Sequence, residues 1–266
     1  MFELKRFLDE KANQYNQPSF IGNDPIAIPH LFAERQDREI AGLFAALLAW
    51  GQRKTILAKS RELMGRMGNE PFRFVREHGK EDLRGLLGFK HRTFNDTDLL
   101  FFIRFLQRHY SRFDSLEDAF LSGQDHFQSI EDSLIRFQHT FFNDPYAPVR
   151  TRKHVASPAR NATCKRLNMY LRWMVRSDER GVDFGIWKRI PQRELICPLD
   201  LHVDRTARAL GLITRRQTDW KTAWQLTESL RRFDREDPVK YDFALFGLSV
   251  AGDSLTEGYS PPCSIR

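Results

Sequence analysis

A lysine and an aspartate, each at the predicted start of a helix, are the residues of this chain best suited to attack a glycosidic carbon. Lys165 opens a stretch whose apolar residues recur at helical spacing: Leu167, Tyr170, Leu171 and Met174. A positive helix end and neighbouring cations favour the neutral form of such an amine, which can attack a sugar C1′ and form a Schiff base. The alternative is a lysine that contacts a phosphate without chemistry.

Asp200 follows Pro198-Leu199 at the start of a predicted helix over 200–210. An aspartate in this place commonly caps the helix by accepting hydrogen bonds from its first N–H groups. Its carboxylate can also stabilise the positive charge that develops on a sugar as a base departs, or deprotonate an attacking group. The two roles are compatible, because one carboxylate can do both.

Two runs around these residues resemble the catalytic half of the helix-hairpin-helix DNA glycosylases. Asn161-Ala-Thr-Cys-Lys165, continued by Arg166-Leu-Asn-Met-Tyr-Leu, is similar to the end of the hairpin and the helix that carries the family's lysine. Pro198-Leu-Asp-Leu-His-Val203, with Ala207-Arg-Ala-Leu-Gly-Leu212 after it, is similar to the family's Val-Asp-Thr-His-Val and Arg-Leu-Gly-Leu run. The resemblance implies catalytic roles for Lys165 and Asp200, with His202 beside the DNA. The run from Cys164 also resembles an uncharacterised bacterial family that shares this core.

Two further runs extend the resemblance. Phe44-Ala-Ala-Leu-Leu-Ala-Trp-Gly-Gln52, then Arg53-Lys-Thr55, resembles an early helix ending in a glutamine that enters the DNA stack. The resemblance therefore implies DNA contacts for Gln52, Arg53 and Lys54, and a pocket position for Trp50. The run over 241–248 is similar to the family's closing helix, and the middle of the chain has no counterpart.

The hairpin departs from the family pattern. Asn161 and Thr163 stand where the family has glycines whose N–H groups approach a DNA phosphate. Asparagine tolerates the left-handed conformation and threonine does not, so Arg160 and Arg166 are expected to compensate by charge. Lys165 and Asp200 lie 35 positions apart because of an insert over 177–197.

The charge pattern predicts a polyanionic partner. The chain carries a net charge of +7, and the windows 41–61 and 145–177 contain no acidic residue. We expect these two basic faces to bind DNA; solvated surface without a partner is the alternative. No Cys-x-x-Cys pair exists among Cys164, Cys197 and Cys263, and Pro261-Pro-Cys263 is only a faint echo of a cluster loop. No iron–sulfur cluster, other metal or cofactor is expected.

Helical periodicity runs through almost the whole sequence and predicts an all-α protein of about a dozen helices. We expect one glycosylase-like unit over 1–266, made of two helical subdomains, 36–160 and 161–250 with 1–35, and a cleft between them. The 22 phenylalanines indicate a Phe-rich core, which also holds Trp173. Helix caps are expected at Asn95 or Asp96, at Thr218 or Asp219, and at Asp237 before Pro238. Asp204 and Asp242 are expected to be surface or capping residues. Strand pairs are not expected, 143–161 and 177–197 are predicted to be irregular, and the tail from Gly252 loosely held.

The sequence disfavours secreted and membrane-spanning proteins and leaves three hypotheses for the function. A charged N-terminus argues against a signal peptide, and no apolar run approaches the ~20 residues of a membrane span, so a cytoplasmic monomer is expected. The first hypothesis is a base-excision DNA glycosylase, with or without lyase activity, that acts on a flipped damaged base such as an oxidised purine. The second is a non-catalytic nucleic-acid-binding protein with the same fold. The third is a helical protein-interaction scaffold.

Overall fold

The computed structural model describes residues 2–121 and 127–251. The described residues form two compact units: unit 1 consists of those within Met1–Phe20, Pro158–Gly185 and Pro191–Arg266, and unit 2 of those within Ile21–Ser157 and Ile186–Ile190. Cys263 and the rest of the tail from Gly252 lie outside the described residues. The subdomain limits expected from the sequence stay a prediction.

The described residues are predominantly helical, which confirms the all-α class. Six short 3-10 helices cover Pro25–Ala27, Pro29–Leu31, Val149–His154, Pro158–Arg160, Gln192–Glu194 and Pro238–Lys240. The α-helices are α1 Phe2–Tyr15, α2 Pro18–Ile21, α3 Arg35–Leu48, α4 Arg53–Arg66, α5 Pro71–Glu77, α6 Lys80–Arg84, α7 Asp96–Tyr110, α8 Glu117–Leu121, α9 Ile130–Phe142, α10 Lys165–Val175, α11 Leu201–Ala209, α12 Trp220–Arg231 and α13 Tyr241–Ala251. None of them is long and apolar enough to cross a membrane.

Unit 2 is built around α3 and a cluster of phenylalanine rings. The second half of α3 is buried on all sides, from Ile40 to Leu48. Rings from α7 and α9 pack at short distances, with Phe102 and Phe141 centroids 4.5 Å apart. The expected Phe-rich core is therefore confirmed, and Phe44 of α3 joins it, with its ring centroid 6.0 Å from that of Phe102.

A buried carboxylate fastens three segments of unit 2. Glu39 of α3 accepts hydrogen bonds from Tyr110 Oη at 2.8 Å, Ser115 Oγ at 2.6 Å and Trp187 Nε1 at 2.7 Å. Trp187 belongs to the insert over 177–197, which contains one short 3-10 helix among the described residues. Apart from that 3-10 helix, the insert is irregular, as the sequence predicts. Its residues Ile186–Ile190 are part of unit 2.

Unit 1 packs α1 and α11 against α13. Gly247 of α13 lies against the Tyr15 ring of α1, so closely that a Cβ at this position would overlap the ring. Trp173 of α10 is fully buried, as the sequence predicts. α10 and α11 are therefore anchored by buried contacts: α10 through Trp173, and α11 through its packing against α13.

Strand pairing was not expected, and this expectation is wrong in one place. A short antiparallel hairpin joins β1 Lys90–His91 to β2 Phe94–Asn95, with His91 opposite Phe94. Its turn includes Arg92 in the left-handed region, at φ 54°. Each strand has only two residues, too few to show the alternation by which strands are recognised in a sequence.

All three predicted caps occupy the N-cap position, Asp237 with Pro238 directly after it, and two of the three make a capping hydrogen bond with the side chain. Asn95 accepts a hydrogen bond from Asp98 N, and Asp219 accepts one from Thr222 N. Asp237 makes no capping hydrogen bond before its 3-10 helix. Its carboxylate instead binds Arg176, with 2.8 Å between Nη2 and Oδ2. A charged partner distant in sequence holds Asp237 away from the nearby N–H groups.

Candidate active site and nucleic-acid contacts

Lys165 and Asp200 meet at the starts of two helices in unit 1. Lys165 is the first residue of α10, and Asp200 is the N-cap of α11. Lys165 Nζ lies 3.7 Å from Asp200 Oδ2, and each side chain is about a quarter exposed, at 25% and 23%. An amine and a carboxylate thus share one partly solvated position, at which proton transfer between them needs only a small movement.

The two oxygens of Asp200 have different partners. Oδ1 accepts hydrogen bonds from His202 N at 2.9 Å and Val203 N at 3.0 Å, which makes Asp200 the helix cap that its position predicts. Oδ2 is the oxygen that faces Lys165. The two capping hydrogen bonds to Oδ1 fix the orientation of the carboxylate, so Oδ2 is held towards the amine of Lys165.

The turn before Lys165 uses two left-handed residues without glycine. Asn161 has φ 56° and Cys164 has φ 52°, whereas Thr163 lies outside the left-handed region. The second special position is therefore Cys164 and not Thr163, which agrees with the steric cost that a β-branched residue meets there. Left-handed backbone at two non-glycine residues directly before Lys165 is costly and is maintained by the surrounding contacts.

Asn161 is tied to the start of α12. Its side-chain Nδ2 donates to Asp219 Oδ2 at 3.1 Å, and its carbonyl accepts from Trp220 N at 3.2 Å. Asn161 is exposed, and so is Arg160 before it. Its backbone N–H donates to Pro158 O at 2.7 Å, so the backbone and side-chain donors of Asn161 are all engaged within the protein, and the predicted DNA contact at Asn161 stays a prediction.

A network of buried ion pairs lies along α10 behind Lys165. Arg172 binds Asp242 through Nη1 and Asp183 through Nε, the latter at 3.3 Å. Arg176 binds Asp183 at 3.0 Å. Both arginines belong to the acid-free window 145–177, yet they are 3% and 2% exposed. The window is therefore less basic in the folded protein than in the sequence, because carboxylates from elsewhere pair with both of these arginines.

Asp242 was expected to be a surface or capping residue, and this expectation is wrong. It is buried on α13, against Arg172. Burial raises the pKa of Asp242 to about 6 against the attraction of Arg172, and the negative charge of Asp200 adds to the rise. Asp204 is also buried and binds Arg208, at 2.8 Å from its Nε. A carboxyl group that titrates near neutral pH therefore lies within electrostatic reach of Asp200.

The two described cysteines are buried thiols. Cys197 Sγ lies 4.0 Å from Asp242 Oδ1, and burial, reinforced by that carboxylate, raises the pKa of the Cys197 thiol well above its usual value. Cys164 lies directly before Lys165 and its thiol donates to Ala162 O at 3.3 Å. Among residues 2–121 and 127–251, no group of three or more potential ligands is arranged to hold a metal ion.

The other predicted contacts of unit 1 differ in accessibility. His202 is exposed, and its Nδ1 forms a hydrogen bond with Ser249 Oγ at 2.9 Å. His202 therefore bridges α11 to α13 at the surface rather than packing in the core. Arg166 is partly buried, and burial lowers the pKa of its guanidinium.

The predicted residues of unit 2 surround the break between α3 and α4. Gln52 is exposed at the N-cap position of α4 and makes no capping hydrogen bond with its side chain. Arg53 and Lys54 are the first residues of α4, and Lys54 is exposed. Trp50 is half-buried, with the His91 ring edge-on to it at 5.9 Å. Sequence reasoning did not find His91 or Arg92, although both stand in a short basic run, Lys90-His-Arg92.

The chain belongs to a family described as a protein of unknown function, DUF2400, whose family model matches residues 24–251. No curated protein and no solved structure shows a significant match to the sequence.

Proposed function

We propose that this member of the DUF2400 family is a DNA base-excision glycosylase in which Lys165 and Asp200 carry the chemistry. The observation that carries the proposal is the 3.7 Å approach of Lys165 Nζ to Asp200 Oδ2 at two helix starts. The resemblance of the surrounding runs to helix-hairpin-helix DNA glycosylases supports a core of that kind and a damaged, flipped base as substrate, with an oxidised purine as the favoured lesion. DNA is the proposed partner.

The chemistry begins with a proton. An ammonium group has no free electron pair, so the Lys165 amine is nucleophilic only after it gives up a proton. Asp200 Oδ2 is within reach to accept that proton. The amine then attacks C1′ of the deoxyribose, the C1′–N bond breaks, and the base leaves with the electron pair and takes a proton. The aminal that remains opens to a Schiff base, from which elimination of the 3′ phosphate gives strand cleavage.

A glycosylase without lyase activity would use the same carboxylate differently. Asp200 would stabilise the positive charge on the sugar while water attacks, and Lys165 would bind a phosphate. Both versions need an ionised Asp200. They differ in whether Lys165 becomes covalently attached to DNA, which reduction of the Schiff base by borohydride detects.

The second candidate is a non-catalytic nucleic-acid-binding protein. It is favoured by the turn before Lys165, where Asn161 donates to Asp219 and no glycine is present. This protein would bind DNA with a salt dependence set by its phosphate contacts, and Asp200→Asn would leave that binding unchanged.

The experiment that tests the proposal is borohydride trapping on duplex DNA with a single abasic site, which removes the need to know the lesion. The wild-type protein should form a covalent adduct that Lys165→Ala abolishes. Lys221→Ala is the matched control, because Lys221 is an exposed lysine of the same unit, and its adduct should equal that of the wild type. Tight binding without an adduct would contradict the lyase and leave the water-dependent glycosylase or the binding protein. Loss of both would contradict the proposal.

A further inference from the structure

The hairpin of unit 2 holds an arginine against the break between α3 and α4. The guanidinium carbon of Arg92 lies 4.9 Å from the centroid of the Trp50 ring. Trp50 O accepts a hydrogen bond from the His91 side chain, at 3.2 Å from Nε2, which ties the hairpin to the same break. Arg92 is exposed, so its guanidinium lies over the ring with its donors open to solvent.

Gly51 permits this arrangement. Its φ is 105°, and a Cβ on it would lie 2.8 Å from Arg92 Nη1. Only a residue without a side chain lets the guanidinium approach the backbone so closely. Gln52 is the residue after Gly51 and is exposed, so it lies next in the chain to the residue that Arg92 approaches.

The same hairpin joins the two acid-free windows within unit 2. Arg150 Nη2 donates to Thr93 O at 2.9 Å, while it also pairs with the buried Asp98 at 3.2 Å. Residues 145–157, the part of window 145–177 that belongs to unit 2, are thereby fastened to one side of the hairpin, and window 41–61 contacts its tip through Trp50 and Gly51. Two segments that are distant in the sequence therefore meet at the hairpin.

Unlike Arg150, which pairs with Asp98, three exposed cations on and beside the hairpin have no ion pair among the described residues. Lys54, Lys90 and Arg92 have no carboxylate at ion-pair distance within the described ranges 2–121 and 127–251. The nearest acidic residue along the hairpin, Asp96, accepts a hydrogen bond from Gly88 N at 2.9 Å. A guanidinium that is oriented by a ring, and that keeps its outer donors free, is preorganised for the bidentate geometry of a phosphate.

We propose that the hairpin tip is a DNA-backbone contact, in which Arg92, supported by the Trp50 ring, binds a phosphate beside Gln52. The inference shares its partner with the proposed function and is independent of the chemistry at Lys165 and Asp200. Arg92 is a binding residue; it positions the duplex on unit 2 and does not read the sequence of bases.

The test is the affinity for duplex DNA that contains a tetrahydrofuran abasic analogue, measured by fluorescence anisotropy at several salt concentrations. This analogue forms no Schiff base, so binding is measured apart from chemistry. Arg92→Gly removes the guanidinium and suits the φ of 54°, so the turn is retained. We expect it to weaken binding roughly three- to tenfold and to reduce the slope of log Kd against log salt by about one. Arg92→Lys should keep the slope and lose part of the affinity, because it keeps the charge without the planar fork.

Arg73→Ala is the matched control. Arg73 is an exposed arginine of α5 in the same unit, paired with Glu70 and Glu77, so its removal also lowers the net charge by one. It should leave the Kd and the slope unchanged. If wild type binds DNA and Arg92→Gly binds with the same Kd and slope, the inference is overturned while the proposed function stands. Absence of binding by the wild type would overturn both.

Discussion

Replacing Asp200 by asparagine and by alanine separates its two roles. Oδ1 caps α11 through bonds of 2.9 and 3.0 Å, and Oδ2 lies 3.7 Å from Lys165 Nζ. Asparagine keeps an oxygen for the cap and has no basic oxygen for the amine. Alanine loses both. We therefore expect the two variants to share a defect in chemistry and to differ in stability.

The magnitudes follow from those contacts. Loss of an N-cap costs about 1 kcal/mol, within a range of 0.5 to 2. The ion pair with Lys165 is about a quarter exposed on each side, and a partly solvated pair of this kind contributes at most about 1 kcal/mol. Asp200→Asn should thus lower the unfolding free energy by about 1 kcal/mol or less, and Asp200→Ala by about 2 kcal/mol. At roughly 2–4 °C per kcal/mol, the alanine variant should melt about 4–8 °C below the wild type. Removing a general base slows the reaction roughly 10²–10⁴-fold, and both variants should show this loss.

The assay pairs thermal melting with single-turnover strand cleavage at an abasic site. Ser129→Ala is the control for stability, because Ser129 caps α9 in the other unit through Asp132 N at 3.0 Å. It should lose about 1 kcal/mol of stability and none of the cleavage rate. Cleavage by Asp200→Asn at the wild-type rate would refute the role of the carboxylate. Asparagine and alanine variants of equal stability would refute the capping argument.

Three further predictions concern the framework. Burial raises the pKa of Asp242 to about 6, so the folded protein binds this proton more tightly than the unfolded chain does. The contribution of Asp242 to the free energy of unfolding is therefore greatest below about pH 4. It falls by on the order of 3 kcal/mol as the pH rises through about 6. The stability difference between wild type and Asp242→Asn, followed by denaturant unfolding, should change across this window and not above it. Gly247→Ala should lower stability by about 1–3 kcal/mol, because the new Cβ overlaps the Tyr15 ring. Gly65→Ala is the control: a Cβ at Gly65 has nothing within 4 Å, so this variant should gain up to about 1 kcal/mol. A Gly247→Ala protein as stable as the wild type would contradict the packing of α13 on α1. Glu39→Ala should cost about 3–5 kcal/mol in urea unfolding, since it leaves buried donors unpaired, and a cost under about 1 kcal/mol would argue against the cluster.

The features that the sequence predicted correctly are those set by neighbouring residues. The caps at Asn95, Asp200 and Asp219 and the helices behind them depend on a polar residue followed within a few positions by a periodic apolar face. The approach of Lys165 to Asp200 was suggested only by the resemblance. Their spacing along the chain carries no information about distance across an insert.

The features that could not be predicted depend on partners distant in the chain. Arg172 and Arg176 look like surface cations in an acid-free window, and they are buried because Asp183, Asp237 and Asp242 surround them. The hairpin that carries Arg92 is too short to produce a pattern. A charged residue that would otherwise be solvated at the surface becomes part of a buried ion pair. Tertiary packing, rather than local sequence, decides which charged residues are buried in this way.

The most direct test of the central claim is to identify the residue that becomes attached to DNA. Wild-type protein is reduced with borohydride on an abasic duplex, digested, and mapped by mass spectrometry. The account predicts a single modified peptide in which the deoxyribose remnant is attached to Lys165 Nζ, and a strongly reduced yield of this peptide from Asp200→Asn. A remnant attached to any other lysine, or wild-type yield from Asp200→Asn, would contradict the pairing of these two residues as the catalytic centre.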